Sequence, residues 1–339
     1  MTGNIFFPEF EVALLKFQVV QTRKSAYSSG TNKAHTIQWK AYIKFALQHK
    51  FQILPVSTEI LCMYARFLAR SFKSSDSISN YVSGLRVLHT LLDYPTQAFT
   101  SIQYRLTIKG LTRNLQHRRA QASPVTPTML VTFLQYLDLA NPVDATCWAL
   151  FVLVFYSMAR KSNLVPDSVK SFDQDKQLTR EKVLVGKQCL VLKWSWAKNI
   201  QYGQKIHKVP LVAIQDSPLC PVKAYLNMCS LVPAGPKQAA FSIPKGKSVV
   251  PLTYHQFQAK FRHLVKLGGW DPTKFSTHSF RRGGATCAFQ AQVPAALIQV
   301  QGDWASDAYK QYINMELKQR LAVARKMGLY ATAMVNKGT

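Results

Sequence analysis

Thr277-His278-Ser279-Phe280-Arg281-Arg282-Gly283-Gly284-Ala285-Thr286 sets a histidine and an arginine three residues apart, a step that puts both side chains on one face of a helix. The helical pattern spans 278–290, so the pair falls in its first turn, where a histidine also suits a plain structural cap. Downstream, Gly302-Asp303-Trp304-Ala305-Ser306-Asp307-Ala308-Tyr309-Lys310-Gln311-Tyr312 brings a tryptophan and two tyrosines together after a glycine turn. A core aromatic pair would give the same pattern. Upstream, the apolar run 147–159 ends at Arg160, ahead of Lys161-Ser162-Asn163-Leu164. A basic side chain where a buried helix meets a polar turn is ordinarily a C-terminal cap.

Between these segments the pattern changes period. Val183-Leu184-Val185, Cys189-Leu190-Val191-Leu192 and Ile206-His207-Lys208-Val209-Pro210-Leu211 are strand-like runs separated by Gly186 and Gly203, and predict a small antiparallel sheet. Lys198, in Trp194-Ser195-Trp196-Ala197-Lys198-Asn199-Ile200, falls in the turn before the last strand, where a solvated hairpin lysine is the plain alternative. Helical patterns fill most of the remainder: 127–150 continuing to 159, 220–229, 253–267, 294–300 and 307–330. The first third reads all-α, with Ile37, Tyr42, Phe45 and Ala46 predicted on one face, Ile60, Tyr64, Phe67 and Leu68 on another, and a third helix over 77–92. Ser57 and Thr58 are N-cap candidates for the second of these. The basic, small-residue and proline stretch Arg118-Arg119-Ala120-Gln121-Ala122-Ser123-Pro124-Val125-Thr126-Pro127 reads as an exposed linker, which sets the expected domains at 1–122 and 123–339. The fold class expected is mainly α with a small antiparallel β-sheet, in two domains.

At 339 residues the chain is long enough for about two cores. Lys and Arg number 43 against 16 Asp and Glu, a net charge of +27 that calls for a polyanionic partner. The excess divides between the halves, +11 over 1–123 and +16 over 124–339. That distribution suits two domains closing on a duplex as a C-shaped clamp better than a single basic tail. The apolar run 147–159 falls short of the ~20 residues a bilayer core requires, so no membrane span is expected. Residues 1–10 carry Glu9 without a basic region ahead of an apolar stretch, so no secretory signal is expected. The six cysteines form no CxxC pair, as suits reduced thiols and neither a zinc module nor a disulfide framework.

In order, an Arg after a buried helix, a Lys in a following hairpin, His-x-x-Arg, and a Gly-x-Trp with a Tyr ten residues beyond the glycine resemble the tyrosine recombinase (phage integrase) family. The THSFRRGGAT and GDWASDAYKQYI wording is similar to recombinases of eukaryotic mobile elements, the DIRS-type and Crypton-type lineages. The resemblance covers the whole second domain, and the helical first domain sits where the family has its core-binding domain. It implies a site-specific recombinase in which Arg160 and Arg281 hold the scissile phosphate, since two planar, permanently charged forks suit the extra oxyanion charge of the transition state. Tyr312 is then the nucleophile that forms a 3′-phosphotyrosyl bond, Lys198 protonates the leaving 5′-oxygen, and His278 orients phosphate or assists proton movement. No metal or nucleotide cofactor is implied.

Three departures from the family pattern bear on these roles. Where the family has His or Trp directly after the glycine, this chain has Asp303; a carboxylate beside a phosphate would repel it, so the role passes to Trp304. Tyr309 competes with Tyr312, which alone keeps the ten-residue offset from Gly302. Lys193, Lys205 and Lys208 flank the hairpin of Lys198. Beyond Tyr312, Leu317, Leu321, Ala324 and Leu329 form an apolar stripe. The resemblance implies that this helix docks on a neighbouring protomer, linking four subunits around two DNA duplexes. The nucleus is the expected compartment for a eukaryotic element, otherwise the cytoplasm or nucleoid. A DNA-binding protein that has kept this structure and lost cutting, and a type IB topoisomerase, are the alternatives.

Overall fold

The computed structural model describes residues 8–117, 121–196, 206–304 and 306–312, with residues 325 and 327. The chain divides into two compact units, Met1–Arg119 and Ala120–Thr339. Among the described residues no helix is long and apolar enough to cross a membrane.

The first unit is built from α1 (Pro8–Ser25), α2 (Ser29–Gln48), α3 (Thr58–Leu68), α4 (Ser75–Leu91) and α5 (Ile102–Leu115). Serines start four of the five: Ser28, Ser57, Ser74 and Ser101 each accept a backbone N–H of the first turn, satisfying donors that have no partner within the helix. Tyr42, Phe45, Leu61, Tyr64, Ile78 and Leu85 form the centre of its core. Ile37 does not join them and is 60% exposed. It lies five residues before Tyr42, which at about 100° per residue turns it well away from the buried face, and His35 and Gln38 take the inner positions instead. His89 is buried, with Nδ1 donating to the Pro95 carbonyl at 2.8 Å and Nε2 accepting from the Val56 N–H at 3.2 Å. The loops before α3 and after α4 are thereby fastened to one ring.

The second unit is arranged around a single helix. The apolar pattern over 127–159 predicts one long helix, but Asp138, Asn141 and Pro142 divide it into α6 (Pro127–Leu134) and α7 (Pro142–Ser157), each capped by a polar side chain with proline in the first turn. Twelve of the sixteen residues of α7 are buried, the mark of a helix packed on all sides. Around it lie α8 (Lys161–Leu164), α9 (Pro221–Leu231), α10 (Tyr254–Leu267), α11 (His278–Gln290) and α12 (Ala295–Gln301). The antiparallel sheet has the order β1 (Val183–Val185), β2 (Cys189–Trp194), β3 (His207–Val212). Leu190, Leu192 and Trp194 alternate inward opposite Leu211, Val209 and His207. Pro210 is tolerated because β3 is an edge strand. A second hairpin, β4 (Ser242–Lys245) with β5 (Ser248–Pro251), turns through Gly246 at φ +59° and lies outside the strands the pattern predicts.

Candidate active site

The end of α7 and the start of α11 meet at one small cavity. Met158 takes a left-handed conformation, φ 51°, which swings the chain out of α7. Arg160 therefore stands in extended backbone at the head of α8, not as a cap on the α7 carbonyls. From α11, Arg281 reaches the same point, 2% exposed, and donates through Nη1 to the Met158 carbonyl. The two glycines after Arg282 allow this approach. A Cβ on Gly283 would lie 2.0 Å from the Val125 carbonyl oxygen, and one on Gly284 would lie 2.1 Å from that of Phe155. Gly284→Ala should therefore destabilise the second unit by about 1–3 kcal/mol through overpacking against backbone, read as a lower urea midpoint. An unchanged midpoint would mean that α11 has room this packing denies it.

Trp304 comes to the site from the other side. Its ring folds back over Gly302, where a Cβ would lie 1.8 Å from Cζ3, and the Arg281 guanidinium stacks on it at 3.8 Å from the ring centroid. This cation–π contact fixes the plane of the fork. Tyr309 packs into the same cluster with Met158, Ala285 and Ile298, 4% exposed, its ring 6.1 Å from that of Trp304. His278 is exposed at the head of α11. Partial desolvation and then the charges of Arg281 and Arg160 hold its imidazole below the ordinary histidine range, which favours the neutral, proton-accepting form.

The cavity itself has about 20 Å³ of free space and is lined by Arg160, Asn163, His207, Arg281 and Asp303, among others. Arg160 Nη1 lies 3.1 Å from Asp303 Oδ2, and Nη2 donates to the Asp303 carbonyl at 3.2 Å. Asp303, expected to be excluded from an anion site by its charge, is thus bound to one of its arginines. His207 also lies outside the sequence-derived set. It is buried on β3, opposite Trp194 and stacked on its ring at 5.8 Å, and the inward alternation His207, Val209, Leu211 is the pattern that would have found it.

Arg160, His278, Arg281 and Trp304 are thus brought together. Lys198 lies in 197–205, outside the described residues, as does Lys205; Lys193 and Lys208 face one another across β2 and β3. Tyr312 closes a 3₁₀ turn over Asp307–Tyr312, and its side chain is outside the described residues. The continuous helix expected over 307–330 begins as this turn; Leu317, Leu321, Ala324 and Leu329 are likewise outside the described residues.

No protein-family model matches the chain, and no curated protein matches its sequence. Solved structures do match it. The chain is similar to the XerH site-specific recombinase bound to difH substrate in a pre-cleavage complex, with TM-score 0.55 and 16% identity over 86% of this chain and 76% of that one. It is similar to the Tn1549 transposon integrase in complex with circular intermediate DNA, with TM-score 0.55 and 14% identity over 90% and 98%. It is also similar to a lambda integrase dimer bound to a COC′ core site, with TM-score 0.50 and 14% identity over 87% and 93%. The fold is that of the core-binding and catalytic domains of tyrosine recombinases, mainly helical with small antiparallel sheets.

Proposed function

We propose that this chain is a site-specific DNA recombinase of a mobile element, which cuts and rejoins strands through a 3′-phosphotyrosyl intermediate. The meeting of Arg160 and Arg281 on one cavity, with His278 near enough for both charges to lower its pKa, carries the reading, because two forked cations match the non-bridging oxygens of a phosphodiester under attack. In the proposed reaction the Tyr312 oxygen bonds to phosphorus as the bond from phosphorus to the 5′-oxygen breaks. The phenolic proton leaves with the assistance of His278, and Lys198 donates a proton to the departing 5′-oxygen. The phosphodiester energy is kept in the phosphotyrosine, so a 5′-hydroxyl can reverse the step on the same or another strand without ATP or metal. Tyr309, buried in the Trp304 cluster, is better suited to packing than to attack. Double-stranded DNA is the proposed partner; the similar Tn1549 integrase is in complex with circular intermediate DNA.

Assembly as a tetramer on two sites is part of the same proposal. A groove of about 500 Å³ in the second unit, lined by Tyr156, Met158, Cys287, Ala291, Leu297 and Ile298, suits the apolar stripe of Leu317, Leu321 and Leu329 from a neighbouring copy. Such exchange would make the setting of Tyr312 depend on the neighbour.

The net charge of +27 predicts a steep salt response if both units supply phosphate contacts. Log K should fall by ~0.9 per contact with log salt, so that six or more contacts weaken duplex binding by ~10³ or more between 50 and 200 mM salt. Fluorescence anisotropy on the full chain measures this. A slope equivalent to one or two contacts would contradict binding through both units.

A further inference from the structure

We propose that Asp303 is an internal anion of the arginine site, whose carboxylate competes with the scissile phosphate for Arg160. The proposal rests on the recombinase reading for the identity of the phosphate, and on the geometry of Arg160 for everything else. Residue 303 bonds both terminal nitrogens of the guanidinium, one through its carboxylate at 3.1 Å and one through its own carbonyl at 3.2 Å. The two side chains are 21% and 20% exposed, so solvent screens the pair only partly. A carboxylate and a phosphate side by side on one guanidinium in this partly buried site repel. The phosphate therefore reaches the Arg160 fork by taking the place of the carboxylate.

Asp303 lies between the end of α12 at Gln301 and the turn Asp307–Tyr312, with its backbone in the left-handed region at φ 51°. Asp and Asn are among the few side-chain-bearing residues that adopt that region readily. Asp303 is thus a positioning residue: it acts through Arg160, and it tunes how tightly the site takes an anion.

The test uses the full-length chain and inorganic phosphate before any DNA. Asp303→Asn keeps an oxygen acceptor for Nη1 and the backbone carbonyl for Nη2, suits the left-handed backbone, and removes only the charge. It should bind phosphate about three- to tenfold more tightly than wild type, read by titration calorimetry and by thermal stabilisation in phosphate against chloride at equal ionic strength. Asp303→Glu, which keeps the charge, should show no gain, and the gain of Asp303→Asn should vanish when Arg160→Ala is added. Adduct formation with a subsaturating nicked duplex should rise by a similar factor in Asp303→Asn. An Asp303→Asn chain that binds phosphate no better than wild type, or a gain that survives Arg160→Ala, would overturn the proposal. If the phosphate results hold while no version of the chain forms an adduct, the role of Asp303 stands and the recombinase reading fails.

Discussion

Tyr312→Phe is expected to bind a duplex carrying the cognate site as wild type does and to form no denaturant-resistant protein–DNA adduct. The substitution removes one oxygen and leaves the ring, so packing and phosphate contacts are preserved while the atom that would bond to phosphorus is gone. A nicked suicide duplex, built on a site selected from random sequence, traps the intermediate because the freed 5′-end diffuses away. Adduct is then read on a denaturing gel, without magnesium or ATP. Tyr309→Phe is the paired control. Its ring lies in the cluster of Trp304, Met158, Ala285 and Ile298, so it should alter stability more than chemistry and still form adduct. Adduct that persists in Tyr312→Phe and disappears in Tyr309→Phe would reassign the nucleophile. Absence of adduct in the wild-type chain on its selected site would favour the alternative of a DNA-binding protein that has lost cutting.

The features legible in the sequence are those set by local spacing. The step from His278 to Arg281 and the apolar turns after it define α11 with the bounds the structure has, because its inner face repeats with the helical period. The three strands β1 to β3 are legible as short apolar runs separated by Gly186 and Gly203, although only β2 and β3 alternate in burial. The hairpin of β4 and β5 was hidden because each of its four-residue strands contains a proline, Pro244 and Pro251, and proline argues locally against a strand. Ile37 is apolar, but its helical angle does not reach the buried face. The pairing of Arg160 with Asp303 joins residues 143 positions apart, and no local pattern marks it. Charge alone argues against a carboxylate in an anion site, whereas here the carboxylate is what the arginine holds.

Arg281→Ala should slow adduct formation by ~10²–10³ or more, by analogy with removal of an oxyanion donor, while duplex affinity changes far less. Arg281 is 2% exposed, its guanidinium stacked at 3.8 Å on Trp304 and bonded to the Met158 carbonyl, so its orientation is fixed before substrate arrives and costs little to organise at the transition state. The same burial means that Ala leaves the Met158 carbonyl without this donor, at a cost of about 1–3 kcal/mol. A folded-state check by urea titration must therefore accompany the kinetics. Arg281→Lys supplies the further control: it keeps the charge but loses the planar fork and the stack, and should also be slow, by at least ~10-fold. Substrate chemistry then separates phosphate binding from proton donation. A duplex with sulfur in place of the bridging 5′-oxygen has a leaving group that needs little protonation, so it should restore cleavage to Lys198→Ala and leave Arg281→Ala slow. Rescue of Arg281→Ala by the sulfur substrate would remove Arg281 from the transition-state oxygens and make it a support for Trp304 alone. Cleavage within about threefold of wild type in a stably folded Arg281→Ala would exclude it from the site altogether.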